Sequence, residues 1–173
     1  MIIFKLALVI LPPIMLGWLI VKQRNKIIEE LNRFNLRNNL ENLFYSTMFA
    51  FIGFNIVNSL TSKYFETATI LDTPISVPVV YIYSVTFSPI IEEYICRGFI
   101  FKRLNHKLGF KVSALISSIL FAIPHFNPAA FLGYVFIGFL WCWYYNKSNS
   151  LIVPIISHAA FNFISILIMS LKG

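Results

Sequence analysis

Six long apolar runs, at about residues 2–21, 43–60, 75–101, 111–126, 129–145 and 150–171, leave this chain little to fold into besides membrane-crossing helices. A transmembrane helix needs roughly 20 mostly apolar residues. A chain of 173 residues therefore has room for about six of them and none for a second, soluble domain. Composition agrees, since 58% of the residues are hydrophobic and 12% are charged, a balance foreign to ordinary soluble domains. The expected fold class is all-α, a polytopic membrane helix bundle of about six transmembrane helices. Two units are expected: residues 1–74, with two transmembrane helices and an interfacial helix, and residues 75–171, a core of four transmembrane helices.

The charges sit in the gaps between these runs. A net charge of +7 could point to nucleic acid, but the basic residues form no tract interleaved with exposed aromatics, so no nucleic-acid partner is expected. The expected surroundings are the lipid bilayer of the cell membrane. Lys22, Arg24, Lys26, Arg33 and Arg37 follow the first run, Lys102, Arg103, Lys107 and Lys111 the third, and Lys147 the fifth. By the positive-inside rule these alternate gaps face the cytosol. The N-terminus and residues 61–73 then face outward, and the opening run is a retained helix, too long and without the cleavage site of a secretory signal. Between the first two runs, Ile27, Leu31, Phe34 and Leu40 are spaced as on an interfacial helix. Cys96 and Cys142 lie far apart within apolar runs, without metal-like spacing, and read as small buried residues.

Against this background the polar residues inside the runs stand out. "SPIIEEYICRGF", residues 88–99, carries Glu92, Glu93 and Arg97. Glu93 and Arg97 are at i and i+4, in the favourable order for an ion pair on one helix face, while Glu92 points about 100° away with no partner expected in its own helix. "SSILFAIPHFNP" places His125 on the same face as Phe121, and "PIISHAAFNFIS" places His158 and Asn162 at i and i+4. Each group could be polar glue between helices. An ionisable side chain at the bilayer centre nevertheless costs roughly 2.5–3.5 kcal/mol on the most lenient scale and commonly marks function. Pro89, Pro124 and Pro154 lie near these groups and are expected to loosen the helices around them.

The three segments together resemble a known family. "EEYICR" fits an EExxxR motif, "FAIPH" fits FxxxH and "HAAFN" fits HxxxN, in the order found in the CPBP intramembrane proteases. That family includes the type II CAAX prenyl endopeptidases and bacterial proteins linked to bacteriocin processing and self-immunity. The resemblance covers roughly residues 75–171, which would be the catalytic core. It implies an endopeptidase hydrolysing a peptide bond in a small membrane-associated protein or peptide. Glu92 would activate water with His125, His158 and Asn162 would stabilise the oxyanion or help hold the site, and Glu93 and Arg97 would support it. Members have been labelled metalloproteases, and Glu92, His125 and His158 are candidate zinc ligands by type. "HAAFN" lacks the HExxH arrangement, so a metal-free, glutamate-dependent mechanism is equally permitted and no cofactor is required by the sequence.

Two other classes of function compete. One is a non-catalytic relative acting in bacteriocin self-immunity or in regulation of a membrane partner. The other is a proton-coupled transporter, which the absence of a visible repeat disfavours. Counting ~1.5 Å per residue from the basic gaps puts Glu92 and His158 at about the same depth, roughly 13 Å, but His125 nearer ~21 Å. A tilt, a kink at Pro124 or a later helix start has to close that difference.

Overall fold

The computed structural model describes the backbone of residues 2–61 and 78–172. The stretch 61–73, expected to face outward, lies outside the described residues apart from Thr61. Among the described residues there is no strand, and six α-helices follow in order: α1 (Ile2–Arg33), α2 (Leu36–Thr61), α3 (Pro78–Glu93), α4 (Lys102–Ala122), α5 (Phe131–Ser148) and α6 (Ile152–Lys172). The chain is an all-α membrane protein.

The interfacial segment is divided between two helices. α1 runs on past a break at Gln23 (φ −113°, ψ 16°), and α2 starts where the Asn35 side chain accepts the Asn38 N–H at 3.2 Å, the usual capping arrangement for a helix N-terminus. Glu30 then ties α1 to the far end of the chain, because its Oε1 accepts the Leu151 N–H at 2.7 Å, beside the start of α6.

Three described stretches are long and apolar enough to cross a membrane: Leu36–Thr61, Tyr81–His125 and Ile152–Leu171. The second is 45 residues long, about twice what a ~30 Å hydrocarbon core needs, and it doubles back. Gly109 interrupts it with φ 73°, a backbone that side chains with a Cβ rarely adopt. Beyond Gly109, α4 returns along its own predecessor. Phe110 meets Phe101 edge to face at 5.7 Å, and the Ser117 hydroxyl donates to the Cys96 carbonyl at 2.8 Å. The runs expected at 75–101 and 111–126 are thus the two arms of one hairpin.

Between α3 and α4 the backbone is a π-helix, Tyr94–Phe101, closed by the Lys102 N–H reaching back to the Arg97 carbonyl. Such i→i+5 turns are rare and gather at functional sites. It begins directly after Glu93 and carries Cys96 and Arg97, both buried.

α5 lies in the core. Its Ile137, Trp141 and Cys142 are buried, and it approaches its neighbours closely through small residues, the usual means of packing helices in lipid. α4 turns Ser113, Ala114, Ser117, Ser118 and Ala122 inward. A Cβ on Gly138 would stand 2.9 Å from that of Ser118. Against α2 the fit is reciprocal: the Phe136 ring fills the space at Gly53, and the Phe54 ring, 2.9 Å from where a Cβ would be, fills the space at Gly133.

The prolines act unequally. Pro89 lies inside α3, and Pro124 lies in a 3-10 turn, Ile123–His125, that ends α4. Pro154 is the third residue of α6, in the first turn, where its missing N–H had no intrahelical partner to lose. The expected loosening of α6 is thereby corrected.

Candidate active site

Glu93 and Arg97 face each other as their spacing predicts. Arg97 Nη1 lies 3.0 Å from Glu93 Oε1, and both side chains are fully buried. The guanidinium is held further by Nη2 donating to the Gly138 carbonyl at 2.9 Å and by lying over the rings of Phe121 and Trp141, 4.7 and 5.4 Å from their centroids. The buried cation is thus held by a carboxylate, a carbonyl dipole and two aromatic faces, while its Nε and the second Glu93 oxygen have no hydrogen-bond partner among the described residues.

The same Glu93 oxygen lies 2.9 Å from His158 Nδ1. A carboxylate oxygen only accepts, so Nδ1 carries the proton and Nε2 is the nitrogen left for other work. Nε2 lies 4.0 Å from Glu92 Oε2. Glu92 is 32% exposed as a side chain, and its Oε1 accepts the Ser88 hydroxyl. Its Oε2 is sealed off and has no hydrogen-bond partner among the described residues. Ser88 also corrects the expectation that Glu92 has no partner in its own helix.

His125 lines a cavity of about 260 Å³ together with Glu92, Cys96, Phe121 and Pro124. Its Nδ1 lies 2.9 Å from the Phe121 carbonyl, so this ring too donates through Nδ1. The imidazole therefore folds back toward the preceding turn of α4, which lessens the depth difference counted from sequence. Phe121 also stands edge-on to His158, with ring centroids 5.6 Å apart. Asn162 lies one turn beyond His158, and its amide donates to the Ser84 carbonyl at 2.7 Å, fastening α6 to α3. Glu92, Glu93, Arg97 and His158 are thus in direct contact or facing one another, His125 shares a cavity with Glu92, and Asn162 grips the helix that carries both glutamates.

The model of one protein family, type II CAAX prenyl endopeptidase Rce1-like, matches residues 74–164, more than half of the chain. The chain belongs to this family. Over 97 residues, 56% of this chain and 40% of the relative, it is 37% identical to YdiL of Bacillus subtilis (strain 168), whose name proposes a membrane peptidase. Over 75 residues, 43% of this chain and 41% of the relative, it is 37% identical to the UPF0177 protein YxdF of Lactococcus lactis subsp. lactis (strain IL1403). The matched regions span about two fifths of the length of these curated relatives. No solved structure matches.

For an Rce1-like chain the fit of a metal can be tested on the donors themselves. Among the described residues no three of His, Cys, Asp and Glu converge as a metal-binding group. Two ligands ~2.0–2.1 Å from a tetrahedral ion stand roughly 3.3 Å apart, whereas Glu92 Oε2 and His158 Nε2 are 4.0 Å apart. As arranged, the set expected from the sequence, Glu92, His125 and His158, does not fit a tetrahedral zinc ion.

Several residues of this Rce1-like site were not anticipated. Ser88 could have been, since it stands four residues before Glu92. Tyr134, Gly138 and Trp141 could not. They belong to α5, whose apolar residues run all round the helix, and an apolar surface gives no sign of which face meets a polar site.

Proposed function

We propose that this chain is an intramembrane endopeptidase that cuts a peptide bond in a small membrane-associated protein or peptide, with Glu92 as the general base. The observation carrying this reading is Glu92 Oε2, buried without a hydrogen-bond partner among the described residues and facing His158 Nε2 across 4.0 Å. A water hydrogen-bonded to both at ~2.8 Å would subtend roughly 90°, close to the angle between its own two hydrogens. Both hydrogens are then held, and the oxygen lone pairs remain free to attack a carbonyl. Glu92 takes the proton as the bond to the carbonyl carbon forms, and returns it to the amine nitrogen as the peptide bond breaks.

The remaining residues serve this step. Glu93 fixes the His158 tautomer, and Arg97 holds Glu93. His125 has committed Nδ1 to Phe121, and its Nε2, when protonated, donates to the developing oxyanion. This assignment exchanges the two histidines' roles relative to the motif reading. Asn162 takes the holding role, since its amide is given to Ser84. Residues 75–171 form the catalytic unit and 1–74 its support. The chain crosses the cell membrane several times with its basic loops in the cytosol, so the site opens nearer that face.

The test compares wild type with Glu92→Gln. Each protein is purified in detergent and incubated with a mixture of peptides extracted from membranes, and new termini are mapped by mass spectrometry. New termini are expected with wild type alone. Identical termini from Glu92→Gln would remove the base from this mechanism.

A further inference from the structure

α5 carries none of the six residues expected at the site, yet three of its residues meet three of them. Tyr134, Gly138 and Trp141 are at i, i+4 and i+7, one stripe on one helix face. The Tyr134 ring stacks on His125, with centroids 3.9 Å apart and planes inclined by 28°. The Gly138 carbonyl accepts Arg97. The Trp141 ring stacks on His158 at 4.3 Å and 22°, while its indole N–H donates at 3.0 Å to Ser157, the residue before that histidine. The stripe therefore touches the π-helix, the end of α4 and α6 together.

We infer that this stripe is the template that aims the site, and that Tyr134 and Trp141 are positioning residues for His125 and His158. The inference rests on the protease reading for its purpose and on geometry for its content. An imidazole with Nδ1 bonded at one edge and one face stacked cannot turn about its Cβ–Cγ bond without losing both contacts, so the direction of Nε2 is set. His125 depends on this most. It ends a 3-10 turn and is followed by Phe126 in the left-handed region (φ 47°), so no helix of its own continues past it to hold it. Seven residues of α5 separate Tyr134 from Trp141 by about 10 Å along the helix, so one helix holds both imidazoles in a fixed relation.

The test uses the full chain in detergent with isotopically labelled histidine. There are three histidines, and exposed His106 serves as the internal reference. Ring currents are expected to displace the His125 and His158 ring-proton signals upfield of those of His106 in the wild type. Tyr134→Leu should reduce the displacement at His125, beside which the Phe121 ring remains at 4.9 Å, while leaving that at His158, which also shows that the fold persists. In the cleavage assay the same variant should lose about 10²-fold in kcat with KM changed by less than about twofold, the effect of a group misplaced by ~1 Å, and Tyr134→Phe should restore both signal and rate. Wild-type histidines lacking the displacement would overturn the inference without any variant being needed. So would Tyr134→Leu with an unaltered spectrum, or Tyr134→Phe regaining the stack but not the rate. The spectra stand apart from catalysis: a chain that shows both stacks yet cleaves nothing removes the protease reading and leaves the template in place.

Discussion

Gly138→Ala should damage the site from a helix that has no motif in it. The added Cβ would lie 2.9 Å from Ser118 Cβ, 3.0 Å from Ser118 Cα and 3.1 Å from Ser118 Oγ, where carbon atoms prefer ~3.5–4.0 Å. One of these neighbours is backbone, so no side-chain rotation relieves the clash, and α4 and α5 must separate by roughly 0.5–1 Å. A shift of that size stretches the 2.9 Å bond from Arg97 to the Gly138 carbonyl toward the distance at which it ceases to be a hydrogen bond. Overpacking costs about 1–3 kcal/mol and a hydrogen bond to a charged group about 1.5–3 kcal/mol. At roughly 2–4 °C per kcal/mol for a chain of this size, the melting temperature should fall by at least ~5 °C. Arg97 loses its anchor, Glu93 and His158 follow, and cleavage should fall with stability. The assay is thermal unfolding in detergent beside cleavage rate, with Gly17→Ala as the control, because nothing lies within 4 Å of that position. Adding Ser118→Gly should recover part of the loss, since it removes the Cβ and Oγ contacts and leaves the one to Cα. A Gly138→Ala protein melting with wild type and fully active would refute both the close approach of α4 to α5 and the anchoring of Arg97.

The two glutamates should part company. Glu92→Gln is expected to abolish cleavage while the protein inserts and melts normally. Glu93→Gln, which leaves Arg97 unbalanced in a buried site, should cost about 3–5 kcal/mol of stability as well as activity; melting curves and rates of both variants decide this. Because the Glu92–His158 separation is too wide for a tetrahedral ion, purified protein should carry less than stoichiometric zinc and keep cleaving after chelation, checked by elemental analysis beside the assay. Cysteines introduced at positions 26 and 107 should be labelled from the cytosolic side, and efficient labelling from outside at both would reverse the assigned orientation. Glu30→Ala, which removes the acceptor for the Leu151 N–H at the start of α6, should lower stability by about 0.5–2 kcal/mol, the range for a lost helix cap, read by thermal unfolding.

What could be read from the sequence follows from the cost of polarity in lipid. Glu92, Glu93, Arg97, His125, His158 and Asn162 were conspicuous because so few polar groups lie within the apolar runs, and the ion pair of Glu93 with Arg97 follows from spacing within one helix. Contacts between helices were legible only as depth, which aligned Glu92 with His158 but left His125 too deep until the structure showed its ring turned back to Phe121. The π-helix at Tyr94–Phe101 left no trace, since it shifts backbone bonding within a run whose apolar residues suit either winding. The work of α5 was hidden for another reason. Gly138 acts through a carbonyl that every residue possesses, and Tyr134 and Trp141 act through ring faces that look like ordinary apolar bulk. Glu30 was equally silent, because a carboxylate in a charged interfacial segment gives no sign that it meets a backbone N–H 121 residues away.

The exchange of rings and glycines between α2 and α5 also governs how the molecule can move. Phe136 is lodged against Gly53 and Phe54 against Gly133, so the two helices are pinned at two points with the pegs pointing in opposite directions. Sliding one along the other would have to lift both rings out of their notches together, which forbids shear at this seam while leaving tilting about the line between the pegs comparatively free. On the proposed mechanism, a widening beside Glu92 is then left to the contact between α3 and α6, where, among the described residues, the Asn162–Ser84 bond is a side-chain tie outside the site itself.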